Sequence, residues 1–299
     1  MSEPIELKKR VITGTQDGPH FLITGGVHGD EFESMVVIRR LMQLIKPEEL
    51  RGKLTLVPVV NEAAFWNGDR TAEDGLDLAR VCPGRLDGSV TERTAYALSA
   101  LIRTADYYID LHSGGIRMRV APMIGYGLVK DPKTLDTQRR MARAFNVSII
   151  WGTDASLEGR SLSIARHSNV PALYSEWLGG GECDLDGAQL EVEGCLNVLG
   201  EFGMIDREQP PSRVRHVVED PRPQSGYMQL NYPAPFDGFF EASVKLEQSI
   251  QTGEPLGTVS NFLGDRTETV LSTQTGFVLT LRAYNRVHKG DCLAVIVEP

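Results

Sequence analysis

From residue 21 to about residue 205, short apolar runs alternate with segments whose apolar residues recur at helical spacing. No other feature constrains the chain as much. A strand followed by an amphipathic helix is the repeating unit of a parallel or mixed sheet with helices on both faces. His20-Phe-Leu-Ile-Thr24 reads as a buried strand ending at Gly25-Gly26. Residues 31–45 carry Met35, Ile38, Leu41, Met42 and Ile45 on one helical face, and Pro47 follows. Residues 54–60, 107–111, 148–151 and 172–175 read as further strands. Residues 91–102, with Thr91 as the expected cap, and 190–202, ending at Gly203, read as helices. In open sheets of this kind the site is expected beyond the carboxyl ends of the strands.

The texture changes after about Asp206. Residues 207–213, Arg-Glu-Gln-Pro-Pro-Ser-Arg, read as a linker. Beyond them the segments are short, rich in Thr and Val and broken by Gly and Pro, which reads as β. A weak repeat runs through this part. Gly238-Phe-Phe-Glu leads to Gly253-Glu-Pro-Leu, and Gly276-Phe-Val-Leu leads to Gly290-Asp-Cys-Leu. Two similar hairpin units predict a small sandwich with pseudo-twofold symmetry, similar to the biotinyl/lipoyl half-motif. The stretch at the place of the carrier hairpin, residues 269–275, holds no lysine, so no swinging arm is expected. The expected division is a catalytic domain over 1–210 and a β-rich domain over 211–299.

The chain has 31 Lys+Arg against 40 Asp+Glu, a formal charge of -9. An acidic balance disfavours a nucleic-acid binder held by phosphate neutralisation. Cys82, Cys183, Cys195 and Cys292 are scattered, with no paired spacing for a disulfide framework or a Cys-type zinc module. The opening residues show no apolar signal core, and no run approaches the ~18 apolar residues of a span. A cytoplasmic chain without membrane contact is expected, and a homo-oligomer stays open.

Three strand ends carry chemistry. Gly25-Gly-Val-His28-Gly-Asp-Glu31 places an imidazole and a carboxylate three residues apart, between a strand and a helix. Such a pair suits zinc, and taken alone it more often marks a helix start with a capping glutamate. Tyr107-Tyr-Ile-Asp-Leu-His112-Ser-Gly-Gly ends a strand on a histidine, where a third ligand would stand. Two histidines and a glutamate leave an open coordination position, the arrangement of hydrolytic zinc sites. Ala172-Leu-Tyr-Ser-Glu176 ends another strand on an acid that can serve as general base. Between these lie Arg70, on a Gly-rich loop, and Asp77-Leu-Ala79-Arg80. Guanidinium groups there suit carbonyl polarisation and carboxylate recognition.

Taken in order, these motifs resemble the succinylglutamate desuccinylase/aspartoacylase family of the zinc-carboxypeptidase-like superfamily. The similarity runs over about residues 20–205 and is greatest to bacterial N-acyl-amino-acid deacylases. It implies one zinc per chain on His28, Glu31 and His112, with Glu176 activating water. It implies that Arg70 stabilises the oxyanion, that Asp77 orients a zinc-binding histidine, and that Arg80 holds the substrate carboxylate. The family pattern reads Asp-Leu-Asn-Arg, and this chain has Ala79 in place of the asparagine. That departure leaves Arg80 without its amide neighbour or shifts recognition to groups such as Arg117 or Arg119.

The resulting expectation is a mixed, mostly parallel α/β sheet of zinc-carboxypeptidase-like type with a C-terminal all-β domain. Its activity would be zinc-dependent hydrolysis of a linear amide in a small N-acylated amino acid or related amine. A metallocarboxypeptidase acting on short peptides and a non-catalytic binding member are the alternatives. His20, His167, His216 and His288 lack partners at ligand spacing and read as structural or surface residues. No Gly-x-Ser-x-Gly elbow, P-loop or Gly-x-Gly-x-x-Gly occurs.

Overall fold

The computed structural model describes residues 5–228 and 231–299. The first part of the chain runs β1 (Arg10–Thr13), β2 (Gln16–Thr24), α1 (Phe32–Leu44), β3 (Arg51–Val57), α2 (Glu62–Asn67), α3 (Leu78–Val81) and α4 (Val90–Ile102). It continues through β4 (Tyr107–Ser113), β5 (Met118–Leu128), α5 (Pro132–Phe145), β6 (Ile149–Asp154), α6 (Ser161–His167), β7 (Ala172–Gly179) and α7 (Leu185–Glu201). The remainder is β8 (His216–Asp220), β9 (Gly238–Ala242), β10 (Ser249–Ile250), β11 (Pro255–Ser260), β12 (Thr267–Leu271), β13 (Gly276–Arg282), β14 (Arg286–Val287) and β15 (Ala294–Val297).

Among the described residues the main sheet has 11 strands, eight of them in the order β1-β3-β2-β4-β7-β5-β13-β10. The strands β6 and β8 extend it from β5, and β15 pairs with β13. The run β3-β2-β4-β7 is parallel, as expected from the βα alternation, and β5 enters antiparallel to β7. One face is covered by α1, α5 and α7, whose Val37, Ile38, Leu41, Phe145, Val192 and Leu199 are buried against Phe21, Ile23 and Ile109. The other face is covered by α4 and α6, with Leu98, Ile102 and Ile164 packed against Leu22 and Tyr108. Burial on both faces explains why these strands read as continuous apolar runs. Parallel register sets Thr24 beside Asp110 and His112 beside Glu176, so the chemistry-bearing strand ends converge.

Two local expectations are corrected. The cap of α4 is Ser89, not Thr91: Glu92 Oε2 accepts from Ser89 N–H at 2.9 Å, completing a capping box. The Thr91 hydroxyl instead donates to Asp74 at 2.8 Å. The strand expected over 54–60 ends at Val57. The sequence reading also passed over β5 and α5.

After residues 206–215, which carry no regular secondary structure, β8 rejoins the main sheet beside β6. A second, antiparallel sheet has the order β12-β11-β9-β14. The two repeat units exchange partners. In the first, β9 pairs with its own β11 and with β14 of the second; in the second, β13 pairs with its own β15 and with β10 of the first. Such reciprocity is what pseudo-twofold symmetry requires. The same β13 also pairs with β5 through Thr280 and Val120, so the C-terminal strands form part of the wall beside the site.

Candidate active site

His28 and Glu31 lie in the loop between β2 and α1. Gly29 is required there by close approach, since a Cβ would stand 2.1 Å from the backbone of Ala64. Glu31 occupies the cap position of α1, yet its side chain makes no cap hydrogen bond. It is buried and turns inward, which decides between the two readings of the His-x-x-Glu pair. Its Oε1 lies 2.6 Å from His28 Nδ1 and its Oε2 lies 2.8 Å from His112 Nδ1. Ligand atoms of His28, Glu31 and His112 all fall within 4.8 Å of one another.

Each histidine is held from behind by an aspartate. His28 Nε2 lies 3.1 Å from Asp77 Oδ1, and His112 Nε2 lies 3.2 Å from Asp110 Oδ2. Carboxylates on the far ring nitrogens fix tautomer and orientation and leave both Nδ1 atoms on the side of Glu31. Burial opposes ionisation of Glu31, but His28 and His112 outweigh it and hold the carboxyl well below its ordinary range. Burial opposes charge on His112 too, and Asp110 and Glu31 outweigh it, raising that ring well above its ordinary value. The buried Glu31 and Asp110 and the half-buried Asp77 around two imidazoles form a donor set that fits a dication with N and O preferences such as zinc.

Glu176 stands directly beside His112, on the neighbouring parallel strand β7. Burial and the nearby Glu31 charge push its carboxyl up to about 7. Arg70 reaches the same space from the loop after α2. Its guanidinium lies 3.1 Å from Asp77 Oδ2 and 3.5 Å from Glu31 Oε1. Burial works against its charge, but Asp77 and Glu31 raise the group above its ordinary value. Asp77 thus joins His28 to Arg70. It also caps α3, accepting from Ala79 N–H at 2.9 Å, and so places the Asp-Leu-Ala-Arg turn.

His28, Glu31, Arg70, Asp77, His112 and Glu176 line one cavity of about 480 Å³, and Asp110 lies behind it. Its walls include Ala79 and Arg80, and on the C-terminal side Met228, Thr280 and Cys292. Sequence reasoning missed Arg160, which also lines this cavity. The Arg80 and Arg160 guanidinium carbons lie 5.6 and 5.9 Å from the Tyr227 ring centroid. Burial and the adjacent Arg80 charge lower Arg160 from its ordinary value. Among the described residues no carboxylate comes within ion-pair distance of Arg160. Arg117 lines the cavity but is exposed and pairs with Asp69 at 3.2 Å; Arg119 is not in the cavity wall. The other histidines have ordinary partners. His20, for example, lies 2.7 Å from the Thr104 carbonyl oxygen and 2.9 Å from the Thr55 hydroxyl.

A His–Glu–His cluster at the carboxyl ends of a parallel sheet, with a carboxylic acid and an arginine over it, defines a metal-dependent hydrolase. Residues 17–201 match the succinylglutamate desuccinylase/aspartoacylase catalytic domain, and the chain belongs to that family. It is therefore a hydrolase of the deacylase type. The chain is 28% identical over 287 residues to the N-alpha-acetyl-L-2,4-diaminobutyric acid deacetylase of Halomonas elongata, covering 94% of this chain and 83% of that one. It is similar to the product-bound ectoine utilization protein EutE (DoeB) from Ruegeria pomeroyi, with TM-score 0.88 and 27% identity over 96% of this chain and 87% of the other. A succinylglutamate desuccinylase/aspartoacylase from Rhodobacter sphaeroides gives TM-score 0.88 and 26% identity over 98% and 89%. Among the described residues no helix is long and apolar enough to cross a membrane.

Proposed function

We propose that the chain is a zinc-dependent amidohydrolase that releases the amine from a small N-acylated amino acid, with Nα-acetyl-2,4-diaminobutyrate as the first compound to test. The observation that carries this reading is the pairing of Glu176 with His112 across β7 and β4, beside the buried Glu31. His28, Glu31 and His112 would hold one zinc through Nδ1, carboxylate and Nδ1. Zinc, when bound, supplies Lewis acidity toward the amide carbonyl and acidifies water.

The remaining work falls to side chains. Glu176 takes the proton from the attacking water and returns it to the departing nitrogen. Burial raises the Glu176 carboxyl above its ordinary value, which brings it closer to a base matched to both transfers at neutral pH. Arg70, oriented by Asp77, faces the carbonyl oxygen as negative charge develops there, a contribution of roughly 3 kcal/mol in comparable sites. Arg80 and Arg160 would receive the substrate carboxylate. With Ala79 offering no amide, Arg160 takes the place of a second donor to that group.

The cavity supports a small substrate over a peptide, because residues of the C-terminal strands close its side. The division into a catalytic part before about residue 210 and a β-rich part that shapes the cleft belongs to the same proposal. A screen of N-acetyl and N-succinyl amino acids, read by free-amine release together with zinc content by elemental analysis, tests it. Release of amine by zinc-loaded protein, lost on chelation and restored by zinc, is expected. Release of C-terminal residues from peptides with no turnover of N-acyl amino acids would favour the carboxypeptidase.

A further inference from the structure

Three consecutive residues, Gly159, Arg160 and Ser161, touch three parts of the site at once. Gly159 has φ 80, and a Cβ there would stand 2.4 Å from the Arg80 carbonyl oxygen. Its own carbonyl accepts from Cys82 N–H at 3.0 Å. The segment is therefore clamped on the turn that carries Arg80. Arg160 extends into the cavity and donates to the Gly226 carbonyl at 3.3 Å. Ser161, the first residue of α6, sends its hydroxyl to the metal half of the site. It donates to Asp110 Oδ2, the same oxygen that lies 3.2 Å from His112 Nε2.

Asp110 is wholly buried, and its other oxygen accepts from Thr24 Oγ1 at 2.7 Å. The Thr24 hydroxyl is in turn 2.7 Å from the Tyr108 hydroxyl. Serine at the start of a helix commonly bonds to the helix's own free N–H groups. Here the hydroxyl bonds to a carboxylate on another strand. Removing it would take the hydroxyl donor from Asp110 Oδ2, beside His112, and one tie between the sheet and the start of α6, where Ser163 also holds the Arg160 backbone.

We infer that Ser161 is a positioning residue that couples anion recognition at Arg160 to metal ligation at His112. It holds the Asp110 carboxylate in line with His112 Nε2, and through the adjacent peptide it holds the base of the Arg160 side chain. The inference rests on the reading of His112 as a zinc ligand.

Zinc affinity, measured by chelator competition on the full chain, tests it without recourse to turnover. Ser161→Ala should weaken zinc by about tenfold or more, within the range known for lost partners of ligating groups. Ser161→Thr, which keeps the hydroxyl, should bind zinc as the parent does. Arg160→Gln should bind zinc like the parent and raise only KM. Ser161→Ala should raise KM as well, and the double variant should raise it by less than the product of the two single effects. Zinc affinity of Ser161→Ala within about twofold of the parent would overturn the coupling, as would fully multiplicative KM effects. Should the parent cleave no N-acyl amino acid, the proposed activity fails, while the zinc affinities still decide the role of Ser161.

Discussion

His112 and Glu176 occupy paired positions on the adjacent parallel strands β4 and β7. The sheet therefore sets a candidate metal ligand and a candidate base side by side at the ~4.8 Å strand spacing. Neither residue needs a long or mobile loop to find the other. Glu176→Gln keeps the shape of the side chain and removes its basicity. Turnover should fall by about 10²–10⁴-fold, while zinc content per chain, by elemental analysis, stays at the parent value. Full activity in this variant would remove Glu176 as the base.

His112→Ala takes away one imidazole of the buried triad and leaves Glu31 and Asp110 without the ring that lies between them. Zinc should be lost on dialysis, and zinc content should drop toward zero. Removing one member of a buried charged pair costs about 3–5 kcal/mol, so the melting temperature should fall as well. A variant that retained stoichiometric zinc would exclude His112 from the ligand set.

Asp77 bonds on one side to His28 and on the other to Arg70, and the two contacts predict separable effects. Asp77→Asn should weaken zinc by about 10- to 100-fold through the loosened His28 ring. Arg70→Ala should leave zinc affinity near the parent value and lower kcat by about 10²–10³-fold. Chelator competition and steady-state kinetics on the two variants distinguish them. Equal zinc affinities in Asp77→Asn and the parent would deny Asp77 its orienting role.

The parts of this site that were legible in the sequence are those carried by a single strand end. His112 and Glu176 each follow an apolar run, and strand ends in a parallel sheet share one edge. The side chain of Glu31 was ambiguous because spacing alone does not tell a capping carboxylate from an inward one; only the packing of Gly29 on α2 turns it in. Arg160 was invisible because its partners, Arg80 and Tyr227, come from distant parts of the chain. The strand β5 was missed since Pro122, Gly125 and Gly127 interrupt its apolar pattern. For α5 a usable signal existed: Asp131 caps it and Pro132 opens it. The pairing of β13 with β5, which brings the C-terminal strands to the cavity, is long-range and leaves no local trace.

Behind β7, on the face away from the cavity, Glu191 of α7 is fully buried. Its Oε1 accepts from the Ser175 hydroxyl at 2.6 Å, and among the described residues its Oε2 has no partner. Burial pushes this carboxyl up to about 8 from an ordinary 4.5, with the Glu33 and Glu176 charges adding to the shift. The fold therefore keeps Glu191 protonated where an unfolded chain would ionise it. Stability from this group is fully present below pH about 4.5, declines as pH rises, and is gone above about 8. Glu191→Gln, neutral at every pH, removes that decline. Measured on metal-free protein, the melting temperature of the variant relative to the parent should climb steadily between pH 5 and pH 8.5. The gain at the upper end should be on the order of 5 kcal/mol, or about 10 °C for a chain of this size. A difference that stayed flat across that range would mean that Glu191 ionises in the fold at its ordinary pH.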